Sequence, residues 1–176
     1  MTDNKKRYLI FVVQLVSAAI LALADQLAKR AAVLHLKGNE DIVLVKNFLA
    51  LSYHENTGAA FSSFSNNTQM LTVFTVILLV AGIVYLFLGK LEGKILNIAA
   101  TLVLAGGTGN LIDRFSRGYV VDYIETLFID FPVFNFADML VVVGAFTICG
   151  VLTYQIIQEE KAKKQSKNGE SDNGNA

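Results

Sequence analysis

The chain has 176 residues, of which 53% are apolar and 17% charged, with one Pro, no Trp and a formal net charge of zero. That balance excludes an ordinary soluble domain and suits a polytopic membrane protein built as one domain. Neutral charge gives no reason to expect a nucleic-acid partner, and a single Cys excludes an internal disulfide or a multi-Cys metal site.

Four stretches approach the roughly 20 apolar residues needed to cross a bilayer core of about 30 Å. They cover about residues 8–24, 70–88, 95–109 and 139–157. Lys5, Lys6 and Arg7 precede the first, and Ala22-Leu23-Ala24 near its end imitates the cleavage site of a secretory leader. The apolar run is longer than the core of such a leader and three more spans follow, so an uncleaved first span fits better. Lys90 and Lys94 bracket the tight loop between the second and third spans, and Lys161, Lys163 and Lys164 follow the fourth. The positive-inside rule then places both termini in the cytoplasm and turns the two long loops, about 25–69 and 110–138, outward.

The fold expected is therefore an all-α polytopic membrane domain over residues 1–157, with four transmembrane helices, N-in/C-in, and a small β-containing outer loop. The β content is expected in Ile42-Val43-Leu44-Val45 and Phe48-Leu49-Ala50-Leu51, as short strands or a membrane-lying patch. Residues 158–176 are polar and expected to form a disordered cytoplasmic tail. No internal repeat is visible.

The polar residues gather at the outward ends of these spans. Asp25 and Lys29 share a helix face where the first span is expected to end. His54-Glu55-Asn56-Thr57-Gly58-Ala59-Ala60-Phe61 forms a turn poor in bulk. Gly106-Gly107-Thr108-Gly109-Asn110-Leu111-Ile112-Asp113-Arg114 closes the third span, Asp122 lies in the following loop, and Asn135 and Asp138 open the fourth. Asp122 and Asp138 border an uncharged apolar run, where carboxylates are costly to keep unless they are used. Two that meet in space suggest a shared-proton pair able to activate water.

Each feature has a structural alternative. Asn135 followed three residues later by Asp138 resembles a capping box, so Asp138 could serve only to start a helix. Asp113 beside Arg114 reads as a structural charge cluster. Asp25 at a helix C-terminal end opposes the dipole, and pairing with Lys29 offsets that, in a structural or substrate-positioning role. Gly106, Gly107 and Gly109 lack the strand and lysine of a nucleotide loop and read as close helix packing or a tight bend. His35 and His54 lack metal-ligand spacing, so neither metal nor cofactor is expected. Ser62, Ser63 and Ser65 stand in no nucleophile context, whether for a triad or for a dyad with Lys29. A small proton- or cation-coupled transporter is the alternative from another class, but its acids would belong near the bilayer midplane. A non-enzymatic lipid-binding scaffold is a third.

Asp25-Gln26-x-x-Lys29, Asn56-x-Gly58-Ala59-Ala60-Phe61, Gly109-Asn110-x-x-Asp113-Arg114, Val121-Asp122 and Phe134-Asn135-x-Ala137-Asp138 together resemble, in order, the motif set of the lipoprotein signal peptidases (signal peptidase II). The resemblance covers about residues 8–157. It implies a bacterial inner-membrane aspartic protease with four transmembrane helices, in which Asp122 and Asp138 are the catalytic dyad. Asp25, Lys29, Asn56, Gly58, Asn110, Asp113, Arg114, Asn135 and Ala137 would shape or support the site. The implied substrates are diacylglyceryl-modified prolipoproteins met in the membrane lipid, cut just N-terminal to the lipidated cysteine at the outer face. The implied inhibitors are of the globomycin type.

Overall fold

A computed structural model of the chain describes residues 3–58, 68–89, 91 and 93–173, with side chains described from residue 4 as far as residue 163. Ala59, Ala60, Phe61, the three serines Ser62, Ser63 and Ser65, and Lys90 lie outside the described residues, as does the side chain of Lys164. In chain order the elements are α1 (Asp3–His35), β1 (Ile42–Val45), β2 (Leu49–Asn56), α2 (Thr68–Phe87), α3 (Lys94–Arg117), β3 (Val120–Thr126) and α4 (Phe136–Asn173). All four helices are long and apolar enough to cross a membrane. The chain is a multi-pass membrane protein.

The pattern on α1 shows why. Leu9, Val13, Val16, Ile20, Leu23 and Leu27 form an exposed stripe at alternating steps of four and three, while Gln14, Ala18, Ala22, Asp25, Lys29 and Ala32 form the opposite, buried stripe. Large apolar side chains face outward and small or polar ones inward, the reverse of a soluble helix and the arrangement a lipid solvent favours. α1 also runs well past Ala24. Asp25 does not end it, because its charge is neutralised inside the protein by Lys29, 2.9 Å away and one turn on. The helix stops at His35, whose carbonyl accepts a 3.0 Å bond from Asn39 Nδ2, just beyond Gly38 in its left-handed turn.

α3 is the central helix and contacts the other three. Its glycines each meet a different neighbour. A Cβ on Gly106 would run into the Ala137 carbonyl of α4, one on Gly107 would lie 2.9 Å from Leu79 of α2, and one on Gly109 would press on the Asp25 carboxylate of α1. Close helix packing is thus the role of this glycine run. α3 ends at Gly118, whose φ of 80° lets its N–H return to the Arg114 carbonyl at 3.2 Å. The core between the helices is built on Ala18, Leu79, Leu86, Leu104, Ala105 and Leu140.

The three strands form one antiparallel sheet in the order β1-β2-β3. β1 and β2 arise where β-branched and apolar runs led us to expect them. β3 was not expected: the sequence reading leaves Asp122 in a loop, although Val120-Val121-Asp122-Tyr123-Ile124-Glu125-Thr126 is dominated by strand-favouring residues. The strand is anchored by Val121, fully buried against Ala32 and Leu36 at the end of α1. The expected tail also differs. α4 continues beyond Ile157 to Asn173; Gln, Glu, Lys and Ala residues of good helix propensity carry it through Gln165, and no Pro intervenes.

Candidate active site

Asp122 enters the site from β3 and Asp138 from the first turn of α4. Asp122 is 2% exposed, and the β ladder sets it opposite His54. Asp138 sits at the third helical position after Asn135. The Asn135 side-chain oxygen accepts the Asp138 N–H at 2.9 Å, and the Asp138 carboxylate accepts the Asn135 N–H at 3.2 Å. This reciprocal pair is a capping box, so the capping reading of Asp138 holds in the geometry.

The cap does not exhaust Asn135. Its Nδ2 donates to Asp122 Oδ1 at 2.6 Å and to Asn110 Oδ1 at 3.2 Å. Asn56 Nδ2 donates to Asp122 Oδ2 at 2.9 Å, while Asn56 Oδ1 is held by the Gly58 N–H at 2.9 Å. Asn110 Nδ2 donates to Asp138 Oδ1 at 2.7 Å. Every oxygen of the two carboxylates therefore receives one N–H. Burial, reinforced by repulsion from Asp138, pushes Asp122 up to about 6, against the pull of its bonds from Asn56 and Asn135.

Behind this pair lies a buried charge cluster. Lys29 Nζ is 2.9 Å from Asp25 Oδ2 and 3.2 Å from Asp113 Oδ2, and it donates to Asn110 Oδ1 at 2.7 Å. Asp113 also holds Arg117 at 2.7 Å and the Val121 N–H at 3.0 Å, which ties α3 to β3. Asp25 Oδ1 accepts the Ala137 N–H at 2.9 Å and so ties α1 to the start of α4. Buried ions of this kind persist only when paired and hydrogen-bonded, and here two carboxylates face two cations.

Two cavities meet at Asp138, and Asp122 lines the smaller of them. The larger, about 700 Å³, runs along the bundle between α2 and α4 over α3, lined by Phe74, Leu78, Ala81, Gly82, Ala100 and Val103 among other apolar side chains. The smaller, about 450 Å³, lies under the loop of Phe131, Pro132, Val133 and Phe134, beside Asn56 and Gly58. Asn110, Arg114, Asp138 and Val141 line both. Long apolar space on either side of a buried and a half-buried acid suits a lipid-like or helical substrate with a polar bond at its centre.

Residues 17–154 match the family model described as "Signal peptidase (SPase) II". This chain belongs to the signal peptidase II family. It is 40% identical over 161 residues to the lipoprotein signal peptidase of Enterococcus faecalis, covering 91% of this chain and 97% of that one. It is also 40% identical over 129 residues to the lipoprotein signal peptidase of Clostridium tetani, covering 72% of this chain and 83% of the other. A bacterial membrane enzyme solved by the in meso method at 2.3 Å resolution superposes with a TM-score of 0.76 at 29% identity, covering 82% of this chain and 89% of that one. Membership makes the chain a peptidase, of the aspartic class by family.

In this signal peptidase II, the residues singled out from sequence occupy one region. Asp25, Lys29, Asn56, Gly58, Asn110, Asp113, Asn135 and Ala137 join the two aspartates in a continuous set of hydrogen bonds and ion pairs. Arg114 stands apart from Asp113, its neighbour in the charge cluster read from sequence. Neighbours on a helix point about 100° apart, so Asp113 turns inward to Lys29 while Arg114 faces the cavities. The true partner of Asp113 on α3 is Arg117, which the sequence reading overlooked. The i,i+4 rule used for Asp25 and Lys29 would have found it. Gln26 was quoted only as part of a motif, yet its Nε2 spans to the Gly109 carbonyl at 3.0 Å and fastens α1 to α3.

Proposed function

We propose that this chain removes the signal peptide from diacylglyceryl-modified prolipoproteins, cutting N-terminal to the lipidated cysteine, with Asp122 and Asp138 as a water-activating dyad. The observation that carries this reading is the convergence of three asparagine amides on two carboxylates at the meeting of two apolar cavities. The peptidase unit is residues 1–157, and the polar segment after it takes no part in the chemistry. The basic residues before the first span and after the fourth support N-in/C-in insertion in the bacterial cytoplasmic membrane, with the site at its outer face.

Two carboxylates this close to low-dielectric surroundings share one proton. The ionised one takes a proton from water as the water oxygen bonds to the scissile carbonyl carbon. The protonated one gives its proton to the carbonyl oxygen, so a neutral tetrahedral adduct forms. Collapse breaks the C–N bond as a carboxyl proton passes to the leaving nitrogen, and the adduct's own hydroxyl proton returns to the pair. The products are a signal-peptide acid and a lipidated cysteine with a free amine. Arg114, lining both cavities, is placed to hold a peptide carbonyl beside the dyad.

The test is incubation of the purified chain with a diacylglyceryl-modified prolipoprotein and with its unlipidated counterpart. Cleavage of the lipidated form alone, blocked by globomycin, is expected. Asp122→Asn and Asp138→Asn should each abolish cleavage while the protein still inserts and folds, and Asp130→Asn, at an exposed loop position, should not. Full activity in either dyad variant would overturn the reading. Ion flux in reconstituted vesicles with no cleavage would favour a transporter.

A further inference from the structure

The larger cavity continues beyond the bundle's apolar interior. At the end remote from Asp138 it adjoins a further hollow of about 430 Å³, and Tyr85, Leu91, Leu96 and Leu152 line both. The wall then changes character. Past those residues the hollow is lined by Tyr154, Gln155, Gln158 and Glu159, on the part of α4 that the positive-inside rule assigns to the cytoplasm.

One stripe of α4 joins the two ends of this groove. Asp138, Val141, Ile148, Leu152, Gln155 and Glu159 follow one another at helical steps of three, four or seven, so they share a face. The face is apolar in its middle and carries an acid at each end. From Asp138 to Glu159 is about six turns, or about 31 Å of helix.

That span matches a membrane leader. Such a leader begins with a positively charged segment, followed by an apolar run of up to about 15 residues. The run covers about 22 Å as a helix. About three extended residues at the cleavage site add about 10 Å more. A leader with its scissile bond at Asp138 therefore brings its basic start to Glu159.

Glu159 is free to receive it. The side chain is exposed, and the ion pairs among the described residues are formed by Asp25, Glu55 and Asp113 instead. The amide oxygens of Gln155 and Gln158 can accept from an ammonium, and Tyr85 and Tyr154 supply aromatic rings that attract cations.

Resting on the peptidase reading above, we infer that Glu159, with Gln155 and Gln158, forms a subsite for the basic N-terminal segment of the leader. The polar end of α4 then helps to bind substrate while taking no part in the chemistry. A lipid headgroup fits this hollow less well, because its phosphate would meet a carboxylate.

The experiment measures KM of the full-length protein for a lipidated prolipoprotein with lysines at its N-terminus, and for the same substrate with those lysines changed to Gln or to Glu. Glu159→Lys should raise KM for the lysine substrate about fivefold, the scale of one exposed ion pair turned into a like-charge contact. KM for the Gln substrate should stay within about twofold, and KM for the Glu substrate should fall, since the charges are then exchanged. Glu160→Lys makes the same change in net charge one residue on, outside the hollow, and should leave all three values within about twofold. An equal rise in Glu160→Lys would reduce the effect to general surface charge and overturn the inference. So would an unchanged KM in Glu159→Lys, or a rise independent of the leader's charge, as a bound headgroup would give. The dyad reading fails separately, by activity surviving in Asp122→Asn or Asp138→Asn, which these KM ratios do not touch.

Discussion

Asn135 combines a structural and a chemical duty in one side chain, its oxygen capping α4 while its nitrogen serves Asp122. Substitution can separate them. Ser is as good an N-cap as Asn but offers no NH₂ to a carboxylate two bonds further out. Asn135→Ser should therefore unfold within a degree or two of wild type, whereas kcat should fall by about 100-fold, the order seen when one preorganised donor is lost. Thermal unfolding beside steady-state kinetics checks both halves, and Asn135→Ala should lose about 1 kcal/mol of stability as well. Asp122 makes a second prediction through its raised value of about 6. If Asp122 supplies the acid of the proposed dyad, the free enzyme keeps that proton up to about this pH and loses it above, so the basic limb of kcat/KM should lie at or above about pH 6. A basic limb below pH 5 would contradict the environment described for this carboxyl. The sign for stability is opposite to that of a salt-bridged acid. Between 3.8 and about 6 the folded chain holds a proton that the unfolded chain has released, so Asp122 makes the fold less stable as pH rises through that window.

The helices bring these residues together through close approaches that only glycine allows. At Gly106 an added Cβ would collide with the Ala137 carbonyl, in the turn that carries Asp138. Gly106→Ala should push α4 from α3, cost about 1–3 kcal/mol and lengthen the Asn110–Asp138 bond. Gly150, in the same α4, has open space at its Cβ position, so Gly150→Ala should be neutral or stabilise by about 0.5–1 kcal/mol. Denaturation of the two variants in one detergent gives the comparison. The same packing explains what could be read in advance. Apolar runs revealed the four helices because lipid demands apolar length, and small residues at Gly106, Gly107 and Gly109 revealed close contact. The end of α1 was misplaced because Asp25 reads locally as a charge leaving the membrane, while Lys29 neutralises it inside a buried cluster that Asp113 of a distant helix completes by pairing with the same lysine. β3 was missed because its pairing with β2 and its burial on Ala32 and Leu36 come from remote segments. Asn110, Asn135 and Asn56 could be named from their motifs, but the orientation of each amide follows only from its partner in three dimensions.

Four helices leave α2 resting on α3, and α4 on another side of α3, with the long cavity between them. Phe74 and Leu78 of α2 face this space and are more than half exposed, so its apolar walls continue into the lipid-facing surface. On the function proposed above, a substrate anchored in the membrane enters sideways, its apolar helix replacing lipid between α2 and α4 and its scissile bond reaching Asp138 where the two cavities meet. Lateral entry predicts a particular kinetic signature for a bulky residue in the groove. Ala81 lines the cavity from α2, is exposed and contacts neither aspartate. Ala81→Trp should narrow the path without disturbing the hydrogen bonds around Asp122 and Asp138. KM for a lipidated full-length prolipoprotein should rise about tenfold, the ratio produced by about 1.4 kcal/mol of lost binding. kcat should stay within about threefold, because the groove wall makes no interaction special to the transition state. A short lipidated peptide lacking the apolar signal segment should be cleaved by Ala81→Trp with nearly wild-type KM. If the long and short substrates suffered equally, the groove would not be where the signal segment lies.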